Sequence, residues 1–259
     1  MTVVEPLVSA LEDKKIESIL ISQPLPQLKN PYQDIVQKYE IQVDFRSFIQ
    51  VEGLTASAFR KQRVYPEQYT SIILTSKNAV DHFFRLCGEM RIKMSDDTKY
   101  FCVTETIANY LQKFINFRKR KVFAGIKSLS DMSSSFLKHK DKETFLFPCS
   151  NLGGAEHTAW LNENKIPFQE AMMYQTVSSD LSDLSDVTYD IIAFFSPLDI
   201  KSLFENFPDF KQNETRIAVS GSATARAVNE AGLVVNISTS PEAPSMPMAL
   251  EKYIKNANK

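Results

Sequence analysis

The stretch Tyr189–Phe204 reads YDIIAFFSPLDIKSLF, and the earlier stretch Tyr69–Phe84 reads YTSIILTSKNAVDHFF. Each begins with a short apolar run of the kind that forms a buried strand and ends with an amphipathic helical pattern. A serine stands at the turn between them, Ser196 in one stretch and Ser76 in the other. The shared plan predicts two copies of one strand–turn–helix unit.

Two further pairs of segments repeat in the same order along the chain. YFCVTETIANYL matches IAVSGSATARAV, and KVFAGIKSLSDMSSSFL matches VVNISTSPEAPSMPMAL more weakly. One match could arise from common sheet chemistry, but three in order indicate an internal duplication. Strands and helices alternate through both copies, which is typical of parallel sheets covered by helices on both faces. We therefore predict an α/β fold with two flavodoxin-like parallel-sheet domains.

The second copy is too small to form a domain alone, because residues 189–259 supply only three strands. We predict that the apolar run Ile16–Ser22 joins its sheet and covers an edge. One domain is then discontinuous and the other is inserted into it. The two segments in which the chain passes from one domain to the other pair as a two-stranded β linker. The predicted boundaries are 1–40 with 180–259 for the discontinuous domain, 52–166 for the inserted domain, and 41–51 with 167–179 for the linker strands.

The composition is that of an ordinary globular protein, since the 259 residues are 43% hydrophobic and 24% charged. A net charge of −1 gives no basis for a nucleic-acid or membrane partner that binds through bulk charge. The chain has no run of 18 apolar residues, so we predict no membrane-spanning helix. The acidic start MTVVEPLVSALEDKK is unlike a signal peptide. We predict a cytoplasmic protein with no nucleic-acid or membrane partner.

Residue types that usually hold cofactors are sparse. The chain has seven glycines and lacks both G-x-G-x-x-G and G-x-x-x-x-G-K-[ST], the common phosphate-binding patterns. The cysteines are odd in number without C-x-x-C spacing, which fits a reducing compartment, and the histidines show no zinc-ligand spacing. They are Cys87, Cys102 and Cys149, and His82, His139 and His157. No metal and no cofactor are predicted.

Hydroxyl side chains follow most of the predicted strands. In doubly wound sheets, ligands bind outside the carboxyl ends of the strands. Each hydroxyl is most simply a helix cap, but several helix N-termini around an interdomain cleft would favour a ligand with many anionic groups. The hydroxyl residues are Thr75, Ser76, Thr104, Thr106, Ser150, Ser196, Ser220, Ser222 and 238–240. Nearby cations would help, with Lys77 and Arg226 better placed than Arg60, Lys61, Arg63 and Lys127.

Several longer pieces resemble the uroporphyrinogen-III synthase family. They are IILTSKNAVDHF, FPCSNLGGAEHTAWLNENKIPFQEAMMYQTV, IIAFFSPLDIKSLFE and IAVSGSATARAVNEAGLVVNISTSPEAPSMPMALEKYI, in an order that covers most of the chain. The resemblance implies two α/β domains, one discontinuous, joined by a two-stranded linker. It also implies a monomeric hydro-lyase without cofactor or metal. Such an enzyme closes the linear tetrapyrrole hydroxymethylbilane to uroporphyrinogen III, with ring D inverted, through a spirocyclic pyrrolenine.

The resemblance also implies roles for particular residues. Tyr174 would assist departure of the substrate hydroxyl, although a linker tyrosine that packs one ring face is the alternative. Thr224 would cap a helix or touch a carboxylate, and Gly221 and Ser222 would offer backbone amides. The remaining substrate-binding candidates are Ser76, Lys77, Thr104, Ser196 and Arg226.

Four positions depart from the common family pattern. Thr104 stands where glycine is common, Ile107 where threonine is common, and Cys149 where arginine is frequent. Ala223 replaces the first threonine of a pair. A two-lobed, non-catalytic module that binds an anionic small molecule is the main alternative function. A cofactor-using enzyme such as a methyltransferase is disfavoured by the scarcity of glycine at the strand ends.

Overall fold

A computed structural model describes residues 15–152 and 154–258 of the chain. The described residues up to Gln50 pack with those from Val177 onward as one compact unit, and Val51–Thr176 form a second. Each unit contains a mostly parallel sheet with helices, which confirms the predicted α/β class.

The strands in chain order are β1 (Ser18–Ile21), β2 (Gln42–Phe45), β3 (Ile49–Gly53), β4 (Ser71–Leu74), β5 (Lys99–Cys102), β6 (Val122–Ala124), β7 (Phe145–Ser150), β8 (Phe168–Ser178), β9 (Ile191–Phe194), β10 (Arg216–Val219) and β11 (Val235–Ser238). The α-helices are α1 (Gln33–Tyr39), α2 (Ala56–Arg60), α3 (Lys77–Glu89), α4 (Glu105–Leu111), α5 (Ser133–His139), α6 (Ala155–Glu163), α7 (Pro197–Asn206), α8 (Ser222–Glu230) and α9 (Met246–Ala257).

The first sheet has the order β11-β10-β9-β1-β2, with parallel neighbours throughout. The N-terminal strand β1 lies in this sheet, as the sequence predicts. β1 pairs with β9 and so covers an edge of the three strands from residues 189–259, as predicted, while β2 pairs with the other side of β1 and is the edge strand of the sheet. β2 comes from the segment 41–51, and its Gln42–Phe45 pair residue by residue with Ser18–Ile21.

Both faces of the first sheet are covered. Ile19 and Ile21 of β1 pack into a cluster with residues of α1 and α9, while Leu20 between them packs into a second cluster with α7 and α8. Successive side chains of a strand point to opposite faces, so a strand covered on both sides must be apolar throughout. This requirement explains why IIAF in β9 is wholly apolar and why RIAV in β10 is apolar after the buried Arg216.

The second sheet has the order β3-β8-β7-β4-β5-β6. The strands from β8 to β6 are paired in parallel. β3 lies beside β8, and the amide of Leu54 after β3 donates to the carbonyl of Met173 in β8 at 2.9 Å. The chain passes between the two units within β3 and within β8. Across the described residues the structure contains no helix with the length and apolar character that a bilayer crossing needs.

Candidate active site

Tyr174 lies on β8 at a local irregularity of the second sheet. Cys149 of β7 pairs with Met172, but the next residue, Ser150, pairs with Tyr174, so Met173 is one residue extra. Such bulges turn the side chains that follow them and are frequent beside active sites. Met173 and Tyr174 are consecutive and both buried. The bulge therefore aims the Tyr174 ring at the neighbouring helix α3.

The Tyr174 hydroxyl contacts Ser76, the serine at the turn between β4 and α3. Its oxygen lies 3.2 Å from Ser76 Oγ, and Ser76 Oγ accepts from the Ala79 amide at 3.0 Å as the N-cap of α3. Capping occupies an acceptor position of the serine and leaves its proton available. Ser76 is thus both a helix cap, the simplest role for a serine at this turn, and a partner of the candidate catalytic residue.

His82 of α3 covers a face of the Tyr174 ring. The two rings are stacked, with centroids 5.0 Å apart and planes 17° from parallel. Arg85 Nε donates to His82 Nδ1 at 3.3 Å, so Nδ1 carries no proton and the imidazole is neutral. Burial holds the pKa of His82 below its usual range, the Arg85 charge lowers it further, and Asp81 opposes the shift. No sequence motif indicates a role for His82, although it lies three residues after the buried Ala79 and four before the buried Leu86.

Asn151 secures β8 just beyond Tyr174. The Thr176 amide donates to Asn151 Oδ1 at 2.9 Å, and Asn151 Nδ2 donates to the Thr176 carbonyl at 3.3 Å. These two bonds extend the contact between β7 and β8 past the last paired residues. Asn151 is thus a second supporting residue that no sequence motif indicates.

Lys77 and Thr104 lie at the same edge of the second sheet as Ser76, because Leu74 of β4 pairs with Cys102 of β5. Lys77 Nζ lies 5.5 Å from the centroid of the Tyr110 ring. Thr104 Oγ1 accepts from the Ile107 amide at 3.4 Å as the N-cap of α4. Of the predicted substrate-binding residues in this unit, Ser76 lies within hydrogen-bonding distance of Tyr174.

Two of the positions that depart from the family pattern, Ile107 and Cys149, are buried. Ile107 and Cys149 are each 6% exposed, and burial raises the pKa of the Cys149 thiol to about 11. A buried neutral thiol cannot replace an arginine as an anion-binding group. The weaker cation candidates lie around α2, with Arg60 in its last turn and Lys61 and Arg63 just beyond it, and in the loop after β6 with Lys127.

The other predicted site residues lie in the first unit, at the carboxyl ends of its strands, because Phe194 at the end of β9 pairs with Val219 at the end of β10. Ser196 precedes α7, where the buried Asp199 carboxylate accepts from the amides of Phe195 and Ser196 and from the Ser22 hydroxyl. The Ser196 hydroxyl faces the Asp199 amide as in a capping box, but that amide donates to the Ser196 carbonyl. Among the described residues, Ser196 Oγ is buried and makes no full hydrogen bond.

Two predictions at α8 need correction. Thr224 does not cap this helix, because α8 begins at Ser222 with Gly221 at the N-cap, so Thr224 falls in the first turn with 2% exposure. The Gly221 amide is not free either, since it donates to Thr239 Oγ1 at 3.3 Å. Gly221 has φ of 82°, a conformation that a glycine adopts without strain. Ser222 and Arg226 are exposed, and within the described residues Arg226 makes no ion pair.

Two cavities lie away from these edges. One, of about 530 Å³, includes Thr98, Tyr100 and Val122 and so lies at the amino ends of β5 and β6. The other, of about 610 Å³, includes Asp190 and Thr215 at the amino ends of β9 and β10. Neither is lined by the predicted site residues. In residues 15–152 and 154–258, no three His, Cys, Asp or Glu side chains are grouped so that they could hold a metal ion.

The fold and the Tyr174 cluster define a duplicated α/β protein with polar side chains and helix N-termini at the carboxyl edges of its sheets. The family model described as uroporphyrinogen-III synthase HemD matches residues 30–247, most of the chain. The chain therefore belongs to the uroporphyrinogen-III synthase family, enzymes of tetrapyrrole synthesis that act on a small molecule.

A solved structure agrees with this fold. Uroporphyrinogen-III synthetase from Helicobacter pylori 26695 is 17% identical, with a TM-score of 0.57 over 93% of this chain and 99% of that one. A mutant uroporphyrinogen III synthase from the extremely thermophilic bacterium Thermus thermophilus is 13% identical, with a TM-score of 0.48 over 93% of this chain and 99% of its own. A comparison with curated proteins gives no match.

Proposed function

We propose that this chain is a cyclising hydro-lyase that converts hydroxymethylbilane to uroporphyrinogen III with ring D inverted. Family membership supports the reaction, and one observation supports the residue that assists it. That observation is the line of hydrogen-bonding groups from the Ala79 amide through Ser76 Oγ to the Tyr174 hydroxyl.

The first chemical step breaks the carbon–oxygen bond of the substrate hydroxymethyl group. The oxygen leaves as water after gaining a proton, and the substrate becomes an azafulvene cation. We propose that Tyr174 donates a hydrogen bond to the departing oxygen. Since Ser76 Oγ accepts from the Ala79 amide, its own proton can point to the Tyr174 oxygen, which leaves the phenol proton for the substrate.

The second step forms the inverted ring. The cation is attacked by the substituted carbon of ring D, which gives a spirocyclic pyrrolenine that fragments and recloses. The pyrroles supply the electrons, so the protein contributes shape and exclusion of water. Unaided substrate closes head to tail to the type I isomer, and the proposed task of the protein is to favour the other closure.

The eight substrate carboxylates need cationic and amide partners. We propose Lys77 and Arg226 for this role, together with Thr104, Ser196, Ser222 and Thr224 and with Gly221 as the turn that presents the start of α8. Lys77 and Arg226 are exposed and free of ion pairs within the described residues, which leaves their charges available. Thr224 would first have to become accessible, because it is buried.

We also propose that the protein acts as a monomer in the cytoplasm, without cofactor, metal, nucleic acid or membrane. The three cysteines are free and buried, which suits a reducing compartment. The oligomeric state would follow from sedimentation of the purified chain.

The test supplies hydroxymethylbilane, oxidises the products and separates type I from type III uroporphyrin. We expect type III from the wild-type chain and a roughly 100-fold lower kcat from Tyr174→Phe, within the range for loss of a positioned proton donor. Tyr100→Phe is the matched control, since it removes the hydroxyl of another buried tyrosine of the same sheet. Type I alone, at the rate without enzyme, would reject the proposed reaction and favour the binding module. Full activity of Tyr174→Phe would reject only the role of Tyr174.

A further inference from the structure

A closed circuit of contacts surrounds the ring of Tyr174. The ring stacks on His82, His82 accepts from Arg85 Nε, and Arg85 Nη2 donates to the Leu54 carbonyl at 2.8 Å. The Leu54 amide in turn donates to the carbonyl of Met173, the residue before Tyr174. All five residues belong to the second unit, Val51–Thr176.

Arg85 is itself held firmly. Besides His82 and Leu54, it forms an ion pair with Glu89 one helical turn further on, with Nη1 2.6 Å from Oε1. A guanidinium bonded in three directions has little freedom, so the imidazole that accepts from it has a fixed ring plane. A fixed imidazole plane fixes the plane of the phenol stacked on it.

We propose that His82 is a positioning residue for Tyr174: its neutral imidazole, oriented by Arg85, holds the phenol ring in the plane from which its hydroxyl reaches the substrate. The inference rests on the proposed role of Tyr174. It assigns His82 no proton transfer, because Nδ1 is occupied by the arginine and the ring meets Tyr174 by its face rather than by a nitrogen.

Gly53 supplies the space that the circuit needs. A methyl group at this position would lie 2.5 Å from Arg85 Nη2 and 2.7 Å from His82 Nδ1, closer than real contacts allow. The guanidinium is held by three partners and the imidazole is confined between Arg85 and Tyr174, so an added methyl group would force both side chains to shift. Gly53→Ala is therefore expected to displace His82 from the Tyr174 ring without altering either residue.

The kinetic test compares two substitutions of similar size. His82→Leu fills the space but lacks a flat ring, and His82→Phe keeps a flat ring but cannot accept from Arg85. We expect kcat to fall about tenfold in His82→Leu, less than the roughly 100-fold that a 1 Å misplacement can cost, with little change in KM. His82→Phe keeps the stack but loses the bond from Arg85, so it should recover only part of that kcat, and Gly53→Ala should resemble His82→Leu.

The spectroscopic test follows the Tyr174 ring directly. In protein labelled with ¹³C at the ε carbons of tyrosine, the Tyr174 signal is assigned by its loss in Tyr174→Phe. Removal of the His82 ring current should move this signal in His82→Leu. It should stay in place in His139→Leu, a control that removes a partly buried imidazole packed on Phe101 and Phe123.

The outcomes separate the two proposals. Wild-type kcat in His82→Leu beside an impaired Tyr174→Phe would overturn the role of His82 alone. A His82→Phe as slow as His82→Leu, or an unmoved Tyr174 signal, would overturn the role of the stack. A fully active Tyr174→Phe would overturn the role of Tyr174 and the inference with it. Should His82→Leu be unstable in thermal unfolding, Gly53→Ala decides by the same two measurements.

Discussion

The turn after β4 and the turn after β9 are equivalent in the duplicated plan, but they are stabilised differently. In the second unit, the sequence SKNA places Ala79 three residues after Ser76, and the serine hydroxyl caps the Ala79 amide. In the first unit, SPLD places Asp199 at that position, and its carboxylate bonds the amides of Phe195 and Ser196. The serine hydroxyl makes a hydrogen bond in one turn, whereas in the other it faces the Asp199 amide and, among the described residues, makes no hydrogen bond within normal limits.

The two turns differ in the residue at the third helical position. A carboxylate at the third helical position reaches back to the start of the turn and satisfies its amides, as in a capping box. An alanine there reaches nothing, and Ser76 caps the helix alone through the Ala79 amide, which holds its hydroxyl in a defined direction. In the second unit that direction leads to Tyr174. The serine is common to both copies, while the groups around its hydroxyl differ.

The largest effect should come from Asp199→Ala. Asp199 is 2% exposed and accepts three hydrogen bonds, the third from the buried Ser22 hydroxyl at 2.8 Å. Its removal leaves these donors unpaired, so we expect the free energy of unfolding to fall by about 3 kcal/mol. Urea unfolding measures the change. Asp209→Ala is the control, because that aspartate is exposed, and equal stability of the two variants would contradict this account.

Ser76→Ala should have the next largest effect. Loss of the cap is expected to lower the free energy of unfolding by about 1 kcal/mol. Loss of the hydroxyl that orients Tyr174 should lower kcat roughly tenfold, at the low end for a misplaced catalytic group. Ser76→Thr keeps a hydroxyl and should recover both properties.

Ser196→Ala sharpens the same comparison by stability alone. Because Ser196 Oγ makes no full hydrogen bond among the described residues, its removal should change the free energy of unfolding by less than about 0.5 kcal/mol. A loss as large as that of Ser76→Ala would mean that the two serines cap their helices alike.

Much of this architecture follows from local patterns in the sequence. Strands such as IIAF and SIIL are apolar because both of their faces are covered, and Ser76, Thr104 and Ser196 stand at the helix starts where their types are favoured. The domain boundaries and the substrate-binding set stay predictions. Local pattern was insufficient at α8, where Gly221 takes the cap position predicted for Thr224.

The supporting residues could not be read from the sequence, since their partners are distant along the chain. Ser22 meets Asp199 across the sheet, and Arg85 meets the carbonyl of Leu54. The stack of His82 on Tyr174 depends on an extra residue in β8, which shifts the register by one and appears in no periodic pattern. Such contacts are fixed by tertiary packing and by a bulge, so residue type alone does not show them.

The smallest expected effect concerns Asp131, a capping carboxylate that is exposed, in contrast to the buried Asp199. Asp131 in the second unit stands three residues after Ser128 and accepts from the amides of Lys127, Ser128 and Ile126 at 2.8, 2.9 and 3.0 Å. These bonds, that from Lys127 first, hold the pKa of Asp131 below its usual value of 3.8. The folded state therefore favours the charged form more than the unfolded state does.

A depressed pKa in the folded state adds stability that is fully present above the unfolded pKa and is lost as the pH falls through the folded one. The free energy of unfolding of the wild type should thus exceed that of Asp131→Asn near pH 6, and the difference should shrink as the pH falls below about 4. Urea unfolding across this range measures it. Asp141→Asn, at an exposed aspartate, should show no such narrowing. A difference between wild type and Asp131→Asn that stayed constant with pH would contradict this prediction. It would mean that the charge of the Asp131 carboxylate adds no stability to the folded state.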